Sequence, residues 1–202
     1  MIRLLGKIPN NNFYLACSGG VDSMVALDFF LNGRYKPTVL NFDHDTEFGD
    51  TARKFLRKKC HELDIPLIVN KIGRDKRADE SQEEYWRNER YLFFSNIPGT
   101  IITAHHLDDA AEWWVFSSLH GQSKIIPYRR ENVIRPFLLT PKSEITAWAK
   151  DKKVEYLNDP SNKDEKYMRS IIRHKIMDHA YIVNPGLRTV VSKKIKEENE
   201  GL

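Results

Sequence analysis

Up to Gly121 the chain alternates short apolar runs with longer segments of helical spacing. Residues 13–17 (Phe-Tyr-Leu-Ala-Cys) form a compact apolar run, long enough for a buried strand and too short for a helix. From 21 to 31 apolar groups recur one turn apart, at Val21, Val25 and then Leu27 and Phe29, and Asn32-Gly33 supplies the stop. The same reading predicts strands over 37–42, 65–72 and 100–104, and helices over 50–63, 80–94 and 108–119, with a charged loop at 73–79. Strand and helix in strict turn predict an α/β fold, a doubly wound, mostly parallel sheet with helices on both faces. Sheets of this kind bind ligands beyond the carboxyl ends of their strands.

After Gly121 the rhythm changes. Val133-Ile134 predicts a short edge strand, and 141–153 a helix opened by Thr140 as N-cap with Pro141 at its first position. A polar stretch at 158–164 precedes helices over 167–179 and 185–196, and the mixed-charge run 193–200 is where fraying is expected. The organisation read from this is a core over 1–137 and a small helical extension, 138–202, continuous with it.

Composition narrows the class without choosing the chemistry. Of 202 residues, 41% are hydrophobic and 11% aromatic, which suits a folded domain with a sizeable core. No apolar run approaches the roughly 20 residues of a membrane span, and residues 1–12 lack the apolar stretch of a secretory signal. A cytoplasmic protein is the expectation. The net charge of +4 divides as +1 over residues 1–101 and +3 over the rest, too slight to announce a polynucleotide partner. Cys17 and Cys60 alone make no disulfide framework, zinc ribbon or iron–sulfur site, and no Cys-x-x-Cys occurs. Oligomeric state is not legible.

The strongest local signal is Ser18-Gly19-Gly20-Val21-Asp22-Ser23, set between a strand and a helix. Two glycines permit close backbone approach, the helix start offers free N–H groups and a positive dipole end, and two serines add hydroxyl donors. That is an anion cradle. It lacks the Gly-Lys-Ser/Thr of a Walker loop and the Gly-x-Gly-x-x-Gly of a dinucleotide site, and a plain glycine turn is the bland alternative. A second signal is Thr103-Ala-His-His-Leu-Asp-Asp-Ala-Ala-Glu112, in which Asp109 and Glu112, three apart, share one helix face. The bland alternative there is an acidic first turn capped by a histidine. Adjacent histidines without zincin spacing do not predict a resident metal.

The 18–23 loop resembles the PP-loop of the N-type ATP pyrophosphatases, and further matches resemble the tRNA(Ile)-lysidine synthetase family within it. The 103–112 segment resembles that family's Thr-Ala-His-His-x-Asp-Asp-Gln-x-Glu-Thr motif, with Ala110 for Gln and Trp113 for Thr. Asp43-His44 resembles part of His-x-Asp-His-x-Leu-Arg, with Asn41 at the first position. The segment from Glu83 to Tyr91 resembles Glu-x-x-Ala-Arg-x-x-Arg-Tyr, with Trp86 for Ala. Arg135-Pro-Phe-Leu138 with Glu144-Ile145, and Asp159-Pro-Ser-Asn162 with Tyr167 to Arg173, resemble the remaining two elements, Ser170 standing for Asn. Six matches in order span residues ~13–180.

The resemblance implies the PP-loop ATPase fold, with ATP held at Ser18, Gly19, Gly20, Val21, Asp22 and Ser23 and magnesium arriving with it. It implies two-step conversion of the wobble cytidine of tRNA(Ile) with a CAU anticodon to lysidine, through an adenylated tRNA attacked by free lysine. Asp43, Asp109 and Glu112 match the family's acidic positions and are assigned to the amines of lysine and to proton transfer, their division left open. Arg87, Arg90, Arg169 and Arg173 are assigned to phosphates of tRNA or to the α-phosphate, which guanidinium geometry suits. For Arg169 and Arg173 the alternative is pairing with Asp159 and Asp164. The family usually carries extra C-terminal tRNA-gripping domains, and the expectation from a sequence ending at Leu202 is a short form lacking them. Two rival readings stay open: another PP-loop tRNA-modifying enzyme such as a thiolase, or a catalytically degenerate relative that binds ATP or tRNA.

Overall fold

β1 (Tyr14–Ala16) is flanked on both sides because its two faces are both apolar, and a strand buried on both faces belongs in the middle of a parallel sheet. The computed structural model describes residues 1–9, 12–160 and 168–201. β2 (Thr38–Asp43) and β3 (Leu67–Lys71) add to one side of β1, and β4 (Ile101–Ile102) to the other. β6 (Val133–Ile134) pairs parallel to β4, and β5 (Arg129–Arg130) closes that edge antiparallel to β6. The order is therefore β3-β2-β1-β4-β6-β5. The direction of winding reverses between β1 and β4, which is where a sheet of this type opens a crevice.

Alternate residues supply the two faces. Leu15, Val39, Ile102 and Ile134 join one apolar cluster, while Leu40, Ile101 and Val133 join another on the opposite side. The first cluster is covered by α1 (Val21–Asn32), α2 (Glu47–Glu62), α4 (Leu107–Leu119), α5 (Lys142–Asp151) and α8 (Leu187–Glu198). The second is covered by α3 (Gln82–Ser95) through Phe93 and Phe94. Between α5 and α8 the chain forms α6 (Met168–Ile171), a π-helical turn (Ile172–Ile176) and α7 (Met177–Val183). No helix of the described residues is long and apolar enough to cross a membrane.

Several local expectations need correction. Val133-Ile134 is an interior strand, buried and paired on both sides, because the unforeseen Arg129-Arg130 takes the edge. Thr140 does not cap α5. Its buried hydroxyl accepts from the Arg3 backbone N–H at 2.9 Å and donates to the Arg3 carbonyl at 2.7 Å, clasping the N-terminal segment, and Pro141 occupies the N-cap. α2 begins at Glu47, earlier than expected, because Thr46 caps it by accepting from Gly49 N–H at 3.1 Å. The charged terminal run is helical to Glu198, anchored by buried Ile195. Ser161, Asn162, Asp164 and Tyr167 lie outside the described residues.

Candidate active site

The strand–loop–helix at 18–23 forms at the carboxyl end of β1. Gly19 has φ +85°, a conformation that disfavours any side chain, and Gly20 caps α1 without a side-chain hydrogen bond. Ser23 Oγ donates to the Gly20 carbonyl at 3.0 Å and accepts from Ser18 N–H at 3.2 Å, so the hydroxyl shapes the loop. The loop forms one wall of a cavity of about 390 Å³ that also takes in Asn41, Asp43, Lys142 and Arg173.

Asp43 ends β2 on that cavity and is 4% exposed. Its carboxylate accepts from Asp45 N–H at 2.9 Å and from Arg53 at 3.2 Å, and a side chain at Gly49 would collide with it. Asn41, two residues earlier on the same face, donates to the Cys17 carbonyl at 2.9 Å; its own buried Oδ1 has no hydrogen-bond partner among the described residues. On the other side His44 faces Trp86 at 5.4 Å across a second cavity, of about 650 Å³. Burial, then the charge of Arg90, pushes the His44 imidazole down to about 4.

The acidic turn starts α4 beyond β4. His106 caps the helix, accepting from Asp109 N–H at 3.3 Å while Asp109 Oδ2 accepts from His106 N–H at 3.0 Å. The capping histidine weighed as the bland alternative is therefore present, and it accounts for only part of the turn. Asp109 also accepts from Arg169 at 2.9 Å and Arg173 at 3.3 Å, and Glu112 accepts from Arg173 twice, at 2.8 and 2.9 Å. Burial opposes the Asp109 charge, but His106, Arg169 and His105 outweigh it and hold the carboxyl well below its usual range. Burial pushes His105 down to about 3, and the ring bonds to the Thr103 hydroxyl at 2.8 Å.

His106 links this turn to the loop, its Nε2 lying 3.6 Å from Asp22. Asp22 is also ion-paired with Lys142. A connected chain of contacts thus runs from the loop through His106 to Asp109, the two arginines and Glu112. The structure brings the expected anion cradle, Asp43, Asp109, Glu112, Arg169 and Arg173 into one region. Arg169 and Arg173 pair with the very carboxylates assigned to lysine, rather than standing free for phosphate.

Arg87 and Arg90, the latter within electrostatic reach of His44, His105 and Arg169, gather around Tyr91. Their guanidinium carbons lie 5.7 and 6.0 Å from its ring centre, Arg130 lies at 4.7 Å, and Arg135 donates to the Tyr91 hydroxyl at 2.7 Å. Burial first, then the like charges of Arg169, Arg87 and Arg135, weigh against the Arg90 cation. Sequence reasoning missed Lys142, Arg53 and the tie from Asp108 to Lys142 N–H at 2.7 Å and to Arg188 at 2.6 Å. Nothing local marks these residues, because each contact spans ten or more positions.

A PP-loop domain family model matches residues 1–180 of the chain. The tRNA(Ile)-lysidine synthase of Thermotoga sp. (strain RQ2) is 30% identical over 200 residues, covering 90% of this chain and 48% of that protein. That of Porphyromonas gingivalis (strain ATCC BAA-308 / W83) is 30% identical over 203 residues, covering 93% and 44%. The chain spans about half the length of the curated relatives it matches. Among solved structures, U34-tRNA thiolase NcsA from Methanococcus maripaludis with its [4Fe-4S] cluster superimposes with a TM-score of 0.72 at 15% identity, over 96% of this chain and 74% of that one. That likeness speaks to the fold.

Proposed function

The chain belongs to the PP-loop domain family, and on that premise we propose that it uses ATP to modify a tRNA, joining free lysine to C2 of the wobble cytidine of tRNA(Ile) with a CAU anticodon, in the cytoplasm. The observation that carries this reading is the contact chain from Asp22 through His106 to Asp109, Arg173 and Glu112. It sets an anion cradle and two buried carboxylates on neighbouring strand ends. The names and the 30% identity of the lysidine synthases support the finer reaction.

In the first step the cytidine O2 attacks the α-phosphorus of ATP. The bond from that phosphorus to the bridging oxygen breaks, and pyrophosphate leaves into the 18–23 loop. In the second step the ε-amine of lysine attacks C2, and the C2–O bond breaks to expel AMP. The amine, with an ordinary pKa near ~10.4, must lose a proton to become a nucleophile. Asp109, held ionised, is a counter-ion for an ammonium group and a poor proton acceptor. Glu112, one turn further along α4, takes the proton, and Asp43 at the cavity holds the second ammonium. Arg173 reaches both the cavity and Glu112, so an incoming phosphate competes with Glu112 for it.

The donor set fits a magnesium ion carried in by ATP. Asp22 would offer it one carboxylate beside the loop, the phosphates and water supplying the other oxygens, while no group of three potential ligands occurs among the described residues. Such an ion would offset phosphate charge. A sulfur-transfer reading gains no support from Cys17 or Cys60, each 3% exposed, whose thiols burial pushes upward. The test is pyrophosphate release from ATP with and without CAU-anticodon tRNA. Release that requires the tRNA, with adenylated tRNA accumulating in Glu112→Gln, supports the scheme; release indifferent to tRNA rejects it.

A further inference from the structure

The cavity of about 650 Å³ has no part in the two-step scheme, yet His44 and Thr46 line both it and the cavity of the 18–23 loop. Asp43, the residue before His44, lines only the latter. The larger cavity therefore adjoins the place where the target base reacts. Its walls are aromatic: the Trp86 indole lies 5.4 Å from the His44 ring, and beside it Tyr85 carries the Arg74 guanidinium 4.7 Å from its ring centre. Arg74 is engaged by Glu80 at 2.8 Å and Glu89 at 2.6 Å, and Asp45 and Asp75 also line the space. An anion is disfavoured there. A neutral ring with a polar edge is not, because Trp86 offers a stacking face and Gln82 an amide. The cation for a phosphate stands one helical turn along α3. Trp86 and Arg90 are four residues apart and share a helix face, and the Arg90 charge is felt at His44. Around Arg90 stand the like charges of Arg169, Arg87 and Arg135, a cluster that an incoming phosphate would relieve. The resembled helix motif has Ala at position 86, so the ring is this chain's own addition.

We propose that this cavity is a stacking slot for an unpaired RNA base next to the one that reacts, with Trp86 as its platform and Arg90 on its phosphate. Holding the neighbour apart leaves the target base unstacked and fixed in place for attack. The inference rests on the reading that the substrate is a tRNA.

The test uses CAU-anticodon tRNA(Ile) ligated from two synthetic halves, so that an abasic nucleotide can replace the wobble base or either of its neighbours. Affinity is read by fluorescence anisotropy. Trp86→Ala weakens binding of the intact tRNA by ~10–100-fold, the loss of one base–aromatic stack, and Trp86→Phe recovers most of it. On the wild type, one of the two neighbouring abasic tRNAs loses as much, and Trp86→Ala binds that tRNA as well as the wild type does, the stack being already gone. Coupling of Trp86 to neither neighbour, or to the wobble position instead, overturns the slot and leaves the tRNA reading standing. ATP affinity lost in step with tRNA affinity in Trp86→Ala makes the cavity a site for adenine and also overturns the slot. A wild-type protein that binds no tRNA overturns the tRNA reading, and the slot with it. If Trp86→Ala does not fold, Trp86→Leu removes the aromatic face while keeping an apolar side chain, and answers the same question.

Discussion

Arg173→Ala perturbs the point where the C-terminal helices meet the acidic turn. The side chain gives Glu112 two bonds, at 2.8 and 2.9 Å, and Asp109 a third at 3.3 Å. Glu112 and Asp109 are buried, with side chains 7% and 12% exposed, so removing a cation leaves two carboxylates facing each other out of water. Breaking a fully buried pair costs about 3–5 kcal/mol. Here Arg173 is 39% exposed and Arg169 still reaches Asp109 at 2.9 Å, which reduces the expected cost to about 2 kcal/mol. For a chain of this size that is a fall of ~4–8 °C in melting temperature. Urea unfolding of Arg173→Ala, Glu112→Gln and the double variant gives the coupling directly, expected at ~1 kcal/mol or more. Because Arg173 blocks the proposed amine site, millimolar lysine should raise the melting temperature of Arg173→Ala more than that of wild type. Additive single losses, within ~0.3 kcal/mol, would refute the pairing as an energetic unit. Equal lysine shifts in both proteins would remove the amine site from these carboxylates.

Three further outcomes follow from particular residues. In Gly19→Val the added Cβ meets Phe55 and Leu157 only at 3.5 and 3.6 Å, so the protein folds with a cost of about 1–2 kcal/mol from φ +85° and loses tRNA-dependent pyrophosphate release; full release from the folded variant would remove the loop from catalysis. His44 and His105 have imidazoles pushed down to about 4 and about 3, so between those values and ~6.5 the unfolded chain binds protons that the folded one does not. Stability is therefore complete above pH ~6.5 and falls toward pH ~4, and urea titrations across that window should show a shallower slope in His44→Gln; an identical slope would clear His44 of the effect. Asp108→Ala removes the acceptor for Lys142 N–H and for Arg188 at 2.8 and 2.6 Å, which should cost about 2 kcal/mol and speed amide exchange through α8; unchanged exchange in α8 would show that apolar contacts alone hold it.

The alternation of strand and helix was legible because each block is long enough to display its period, as with Val21, Val25 and Phe29 in α1. Two-residue strands have no period, so Arg129-Arg130 escaped notice and Val133-Ile134 was placed at the wrong position in the sheet. Thr140 has the chemistry of a cap but spends its hydroxyl on Arg3, a partner that only the folded chain presents. The site shows the same division. The 18–23 loop and the shared face of Asp109 and Glu112 are local patterns, and the one-turn spacing of Arg169 and Arg173 is too. Their meeting is not local: about 60 positions separate the partners, and a guanidinium four residues from another looks the same whether it awaits phosphate or is held by a carboxylate. Lys142 was invisible for the same reason, an ordinary first-turn lysine until α5 docks beside the loop.

The most direct measurement of the proposed reaction is incubation of the protein with ATP, isotope-labelled lysine and CAU-anticodon tRNA(Ile), followed by digestion of the tRNA to nucleosides. The account predicts one labelled cytidine derivative, heavier by lysine less one water, formed in equal amount with AMP and pyrophosphate and absent in Gly19→Val. Cytidine unchanged at the wobble position while the tRNA stays bound, or ATP consumed to ADP and phosphate, would contradict it.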